Sequence, residues 1–164
     1  MIRKVQKNMA TKVRSLDPED IDQAANIVHK FWSLNAEFEP TIELGDEPLQ
    51  TMKLNIKRSV GREDQIIIVA ESEKKTLLGL ARIEIRQGTF YGAKPRGNIV
   101  EFYVLPQARR KDVGKDLLDY ALNWLKEKGI DSVTSEFPTQ NVPAVGFYER
   151  SGFRPFLTVY IREI

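Results

Sequence analysis

The 164-residue sequence contains no cysteine and a single histidine, His29. Disulfides, thiolate zinc sites and thiol nucleophiles are thereby excluded, as is a histidine-rich metal centre, so no metal site is expected. Neither sign of charge dominates: 25 Lys and Arg stand against 23 Asp and Glu, a net charge of +2. A nucleic-acid-binding domain ordinarily shows a basic excess, so no nucleic-acid partner is expected. No apolar run approaches the roughly 18 residues that read as a membrane span. No membrane partner is expected either. Residues 1–8 are basic but carry no apolar stretch of the kind a secretory signal needs, which makes the cytoplasm the expected location. Any catalysis must therefore use carboxylates, tyrosine, hydroxyls, backbone groups or a bound cofactor.

Apolar residues make up 41% of the chain and charged residues 29%, enough of the former to bury one core. Residues 1–10 read as a loose basic N-terminal extension, and 11–164 as one domain. The spacing of Ile21, Ala24, Ala25, Val28, Phe31 and Trp32 predicts an amphipathic helix over 18–34, with Asp17 as N-cap and Pro18 at its first position. Residues 48–60 read as a second helix. The β-branched run 65–70 and the run 77–86 read as strands of a hairpin, joined by the polar turn 72–75. A glycine-rich loop (87–97), a strand (99–105) and a strongly amphipathic helix (113–128) stopped by Gly129 follow. A strand over 130–137, a short helix over 143–151 and a last strand over 153–164 complete the order β-α-α-β-β-β-α-β-α-β. That order predicts an α/β domain with a mixed sheet covered by helices.

Chemistry concentrates after the third of the central strands. Strand residues Tyr103-Val104-Leu105 end at Pro106, and the basic loop Gln107–Asp112 leads into a helix near Val113. The first turn of a helix has backbone N–H groups without intrahelical acceptors, and its dipole favours negative charge. Arg109, Arg110, Lys111 and Lys115 surround that turn, and Gly114 permits close approach to the backbone. The arrangement suits a phosphate or pyrophosphate. It also suits a merely solvated basic loop. No glycine stands five residues before Gly114, and Asp116 follows Lys115, so it is no P-loop; no G-x-G-x-x-G fingerprint occurs either.

Two blocks here resemble the GCN5-related N-acetyltransferase (GNAT) superfamily. The first is Val104-Leu105-Pro106 followed by Arg109-Arg110-Lys111-Asp112-Val113-Gly114. The second, Asn141-Val142-Pro143-Ala144-Val145-Gly146-Phe147-Tyr148-Glu149-Arg150-Ser151-Gly152-Phe153, matches the family pattern Asn-x-x-Ala-x-x-Phe-Tyr-x-x-x-Gly-Phe in full. The resemblance implies a GNAT-like domain: a mostly antiparallel mixed sheet, about four helices, and central strands splayed at a cofactor cleft. It implies acetyl-CoA as cofactor, with its pyrophosphate on Arg109, Arg110, Lys111, Asp112, Val113, Gly114 and Lys115. The pantetheine arm is expected along Phe102, Tyr103 and Val104, near Asn141 and Phe147. Tyr148 is the implied general acid for the departing thiolate; its alternative is an aromatic core residue.

Glu101 is the candidate base or amine-binding group, because a charge in an apolar strand is costly unless paired or facing a cleft. The alternative is an ion pair with Arg82 or Arg86. The acidic stretch with Glu37 and Glu39 falls where the family builds its acceptor wall, and is otherwise a solvated loop. The implied acceptor is a small-molecule or protein amine. Asp112 departs from the pattern by replacing the loop's first glycine and placing a carboxylate near the expected pyrophosphate. A CoA-binding module with weak or no catalysis is therefore the second reading. The last strand, if exposed, makes a homodimer possible.

Overall fold

A computed structural model describes residues 11–88 and 94–164. The basic extension over 1–10 and the middle of the glycine-rich loop lie outside the described residues. Eleven elements follow in order, two of them single 3-10 turns. The regular ones are β1 (Thr11–Ser15), α1 (Ile21–Phe38), α2 (Pro48–Ser59), β2 (Gln65–Ser72), β3 (Leu77–Arg86), β4 (Arg96–Val104), α3 (Val113–Glu127), β5 (Val133–Ser135) and α4 (Val142–Arg150). The sheet order is β1-β2-β3-β4-β5; the first four strands are mutually antiparallel, and β5 joins β4 in parallel.

Both faces of this sheet are covered, which explains the unbroken apolar run in β2. Ile67 and Val69 pack with Ala24, Ala25, Val28 and Ile56 of α1 and α2. Their neighbours Ile68 and Ala70 pack on the other face with Leu117, Leu118, Ala121 and Leu125 of α3. Helix α3 stops where the sequence places its glycine: Gly129 takes φ +74°, and Ile130 N–H reaches back to Leu125 C=O at 2.9 Å.

The structure departs from sequence expectation in several places. Strand β4 begins at Arg96, inside the stretch expected as loop, because Arg96 and Gly97 pair with Arg86 and Ile85, and it ends at Val104. Helix α1 runs on to Phe38, because Asn35 is buried and its carbonyl accepts the Glu39 N–H at 2.9 Å. Asp17 stands at the N-cap with Pro18 after it, as expected, but they open a 3-10 turn over Pro18–Asp20 that precedes α1, and the Asp17 N–H donates to the Asp20 carboxylate at 2.9 Å. Strand β5 is three residues long, with Ile130 and Phe137 packed into the core from outside it. The expected last strand is absent: no strand forms over 153–164, and beyond Phe153 every residue is exposed. An extended segment becomes a strand only beside another that takes its hydrogen bonds, and none of the described residues does so here.

Two local features hold the fold in place. Arg14 of β1 binds Asp20 at 2.6 Å and Glu71 of β2 at 3.2 Å, so the start of α1 is tied to the sheet edge. The Arg14 hydrogen bonds hold the Asp20 carboxyl below its usual range. A depressed carboxyl contributes stability above its unfolded-state value, and that contribution is lost as pH falls through the folded value. Asp20→Asn should therefore lower stability by about 1–3 kcal/mol at neutral pH, with the gap to the native chain closing in acid below the usual carboxylate range; urea melts across pH read this directly. Gly79 of β3 faces β4 so closely that an added Cβ would stand 2.9 Å from the Tyr103 carbonyl and 3.1 Å from Leu117 Cδ1. Gly79→Ala should destabilise the fold by about 1–3 kcal/mol in the same melts.

Candidate active site

Strand β4 is paired on both edges only at its beginning. Gly97, Asn98 and Ile99 face Val133, Thr134 and Ser135, and there β5 ends. On its other edge β4 continues beside β3 as far as Val104 opposite Gly79. Leu105 N–H donates to Leu78 C=O at 2.9 Å. Strand alternation therefore turns the backbone groups of Val104 and Phe102 to the open edge. The two central strands part as the sequence resemblance implied.

A bulge decides which side chains flank the gap. Arg82 pairs with Glu101 and Ile83 with Ile99, so Val100 is an extra residue. Before the bulge, Ile99 packs toward α3. After it, Phe102 and Val104 take that face, while Tyr103 and Leu105 turn toward α1 and α2. Glu101 turns with them. Trp32 Nε1–H of α1 donates to Glu101 Oε1 at 3.1 Å, and Arg82 Nη2 donates to the same oxygen at 3.1 Å. Arg82 Nε lies 2.8 Å from Oε2 but off the hydrogen-bonding line, and has no hydrogen-bond partner among the described residues. Glu101 is 4% exposed, and burial pushes its carboxyl above the ordinary range; the Arg82 charge and the Trp32 bond pull it part-way back. The sequence marks Trp32 only as a packing residue. Its indole N–H makes it part of this site, a role that depends on α1 crossing the sheet and that no local motif signals.

The other face of the gap is aromatic. Tyr148 of α4 stacks on Phe137 with centroids 5.2 Å apart and meets Phe147 at 5.3 Å and Phe153 at 5.0 Å. It lies 6.3 Å from Phe102 of β4. Burial pushes the Tyr148 hydroxyl up to about 12, against a hydrogen bond from Ser135 at the end of β5. Asn141 caps α4 by accepting the Ala144 N–H at 3.2 Å, and its amide faces Asn35 of α1 at 3.4 Å. Beside β4, the first intrahelical bond of α3 is Asp116 N–H to Asp112 C=O at 2.9 Å. The N–H groups of Val113, Gly114 and Lys115 precede it and have no acceptor within the helix. Gly114 has Phe147 of α4 and Val104 of β4 against it: an added Cβ would lie 3.3 Å and 3.7 Å from them.

A sequence model of the acetyltransferase (GNAT) family matches residues 27–153. The chain belongs to the GNAT family. The mycothiol acetyltransferase of Propionibacterium freudenreichii subsp. shermanii is 30% identical over 87 residues, 53% of this chain. The aligned stretch spans 27% of that relative's length. Among solved structures, aminoglycoside N-acetyltransferase AAC(6')-Iy in complex with CoA superposes with a TM-score of 0.79 at 16% identity, covering 98% of both chains. AAC(6')-Ih from Acinetobacter baumannii gives 0.75 at 14% identity over 94% of this chain and 99% of the other. A tetramutant of the BH1408 protein from Bacillus halodurans gives 0.81 at 15% identity over 93% and 99%. These likenesses show the GNAT fold.

The fold brings most of the sequence-derived residues to one end of the sheet. Phe102, Tyr103 and Val104 line the free half of β4, and Val113, Gly114 and Lys115 open α3. Arg109 folds back on the strand end: its Nε donates to Val104 C=O at 3.0 Å, and its guanidinium lies 5.4 Å from the Tyr103 ring centre. Arg110, Lys111 and Asp112 are exposed in the loop, while Lys115 pairs with Asp119 at 2.6 Å. Glu37 is exposed at the end of α1, and Glu39 is drawn into a local turn with Thr41 Oγ1 at 2.7 Å.

The GNAT glycine that Asp112 replaces now has a structural meaning. Asp112 sits at φ +60°, ψ 0°, the left-handed region, and its side chain makes no cap bond. A non-glycine residue there costs about 1–2 kcal/mol, less for Asp. Asp112→Gly is expected to raise the thermal midpoint, with a gain of up to about 1 kcal/mol in calorimetric melts.

Proposed function

We propose that this GNAT chain is an N-acetyltransferase that moves the acetyl group of acetyl-CoA to a primary amine by direct attack in a ternary complex. The carrying observation is the open half of β4 lying beside the unbonded N–H groups that begin α3. A pantetheine arm can pair with the strand edge at Phe102, with the thioester beside Val104, and a pyrophosphate can rest on the amides of Val113, Gly114 and Lys115. Arg109, Arg110, Lys111 and Lys115 supply the opposing charge, and Asn141 and Phe147 border the arm. Acetyl-CoA brings an activated acyl group as its thioester.

The chain's own groups then have distinct roles. The Val104 N–H, on the free edge, is the donor for negative charge developing on the acetyl oxygen. Tyr148 donates a hydrogen bond to the departing sulfur. With its hydroxyl pushed up to about 12, complete proton transfer to a thiolate of ordinary basicity, near 8.5, is uphill by several kcal/mol. Stabilisation by hydrogen bonding is therefore its main contribution. Glu101 receives the amine. A primary ammonium titrates near 10.4, well above a carboxyl, so Glu101 holds the cation or takes its proton after attack has made the nitrogen acidic. Oε1 already accepts from Trp32 and Arg82, so Oε2, ion-paired with Arg82 Nε at 2.8 Å, is the oxygen with capacity left to do so. Glu37 and Glu39 lie on the acceptor side and favour a cationic acceptor. A small-molecule amine is the leading class. Asp112 supports the second reading, CoA binding with little turnover.

The test is an acceptor panel of polyamines, aminoglycosides and lysine peptides with acetyl-CoA, read as released thiol; the cysteine-free chain adds no background. No turnover with any acceptor, with CoA still bound, would select the second reading. Calorimetry should show tighter acetyl-CoA binding for Asp112→Gly. Tyr148→Phe should lower kcat roughly 10- to 150-fold, the loss of a hydrogen bond to a charged group, with KM for acetyl-CoA unchanged. In the native chain the rate should fall on the acid side as Glu101 protonates, and Glu101→Gln should be slower and lack that acid limb. An unchanged pH profile in a folded Glu101→Gln protein removes the assignment.

A further inference from the structure

Helix α1 carries a polar side chain where its apolar face should continue. Val28, Trp32 and Asn35 fall on one side of the helix, at spacings of four and three residues. Val28 and Trp32 pack into the core, and Asn35 is 2% exposed. The Asn35 side chain makes one hydrogen bond among the described residues: its Oδ1 accepts from Asn141 Nδ2 at 3.4 Å. Its own N–H groups donate to none of them. Buried donors without acceptors are costly, so packing alone would favour an apolar residue here.

The partner belongs to the other face of the sheet. Helix α1 packs with α2 on one face, and α4 with α3 on the opposite one. The two helices flank β4 at adjacent residues: Trp32 bonds Glu101, and the Phe147 ring centre lies 5.1 Å from that of Phe102. Elsewhere on α1 and at the start of α4, Asn35 meets Asn141. A continuous sheet would keep such helices apart. Here β5 ends at Ser135 and leaves β4 without a described neighbour on that side. Asn141 commits its Oδ1 to the Ala144 N–H at 3.2 Å. An amide nitrogen carries two hydrogens. One on Asn141 and two on Asn35 are therefore unused among the described residues, gathered where the two faces meet.

We propose that Asn35 is a positioning residue that links the cofactor side of the site to the acceptor side. The assignment rests on the reading of acetyl-CoA along β4. The unused N–H groups of Asn141 and Asn35 suit the amide carbonyls of its arm, and Asn35 Oδ1 holds the Asn141 amide in the orientation that offers them. Asn35 and Trp32 stand one turn apart on α1, so a shift of Asn35 carries Trp32 with it, and Trp32 bonds Glu101. Occupancy beside α4 is thereby transmitted to the carboxylate that receives the amine.

Calorimetry with acetyl-CoA tests the link on four proteins: native, Asn35→Leu, Asn141→Ala and the double variant. Asn35→Leu should weaken binding roughly 2- to 12-fold, the loss of one hydrogen bond. Because it acts through Asn141, it should add nothing once Asn141 is alanine. Native affinity in Asn35→Leu, or losses that multiply in the double variant, overturns the proposal. Failure of the native chain to bind acetyl-CoA overturns it together with the reading beneath it. A second readout is optical. Trp32 and Trp124 are the two tryptophans of the chain, so Trp124→Phe leaves Trp32 as the sole indole emitter. Acetyl-CoA should change that emission, and Asn35→Leu should abolish the change at saturation. An emission that does not respond, or a response that survives Asn35→Leu, overturns the link to α1. Asn35→Ser, with a shorter side chain, repeats both measurements if the leucine variant loses its native circular dichroism.

Discussion

Strand β4 has partners on both edges only from Gly97 to Ile99, and the site depends on how the remaining half is kept open. A free edge inside a sheet exposes backbone donors and acceptors that elsewhere would be paired. Here the strand keeps its place because β3 pairs with its other side as far as Val104. Gly79 allows that close approach, and α3 packs across the same region. The open edge is therefore supported from behind, which suits a surface that must present hydrogen-bonding groups at fixed spacing.

The bulge at Val100 gives this edge its chemistry. In a regular strand Glu101, two positions after Ile99, would share its face among the apolar residues against α3. The bulge instead turns it toward α1 and α2, where Trp32 and Arg82 meet it. A carboxylate buried to 4% exposure is tolerable there because a cation and an indole N–H face it. Tyr148 reaches the gap from the opposite face, inside an aromatic cluster that raises its proton affinity. The two groups thus approach one gap from two sides of the sheet, which separates the amine end of the proposed reaction from the sulfur end.

The turn before α3 shows a different balance. Most of its features favour an anion: three amides with no acceptor within the helix, and a basic surround. Asp112 opposes them twice, by its charge and by occupying left-handed backbone. In the proposed reading such a residue lowers the affinity of the turn for the anion, and the fold tolerates it because Asp112 is exposed and neither effect reaches the core.

Much of this was legible in the sequence by itself. Periodicity gave the helices and the central strands, because apolar residues repeat at the spacing of the surface they bury. The two motif blocks gave the family, since each concerns local backbone: a strand end entering a helix, and a capped helix closing on a glycine. Asn141, Ala144, Tyr148 and Gly152 all act within one helix and its ends. What needed tertiary structure was everything set by elements distant in the chain. The bulge is a mismatch between β3 and β4 and leaves no mark on either strand alone. Trp32 reaches Glu101 across 69 positions, and the choice of Arg82 over Arg86 follows from register. The same limit explains the last segment. Its composition reads as a strand, but a strand exists only where a neighbour accepts its hydrogen bonds, and composition does not name that neighbour.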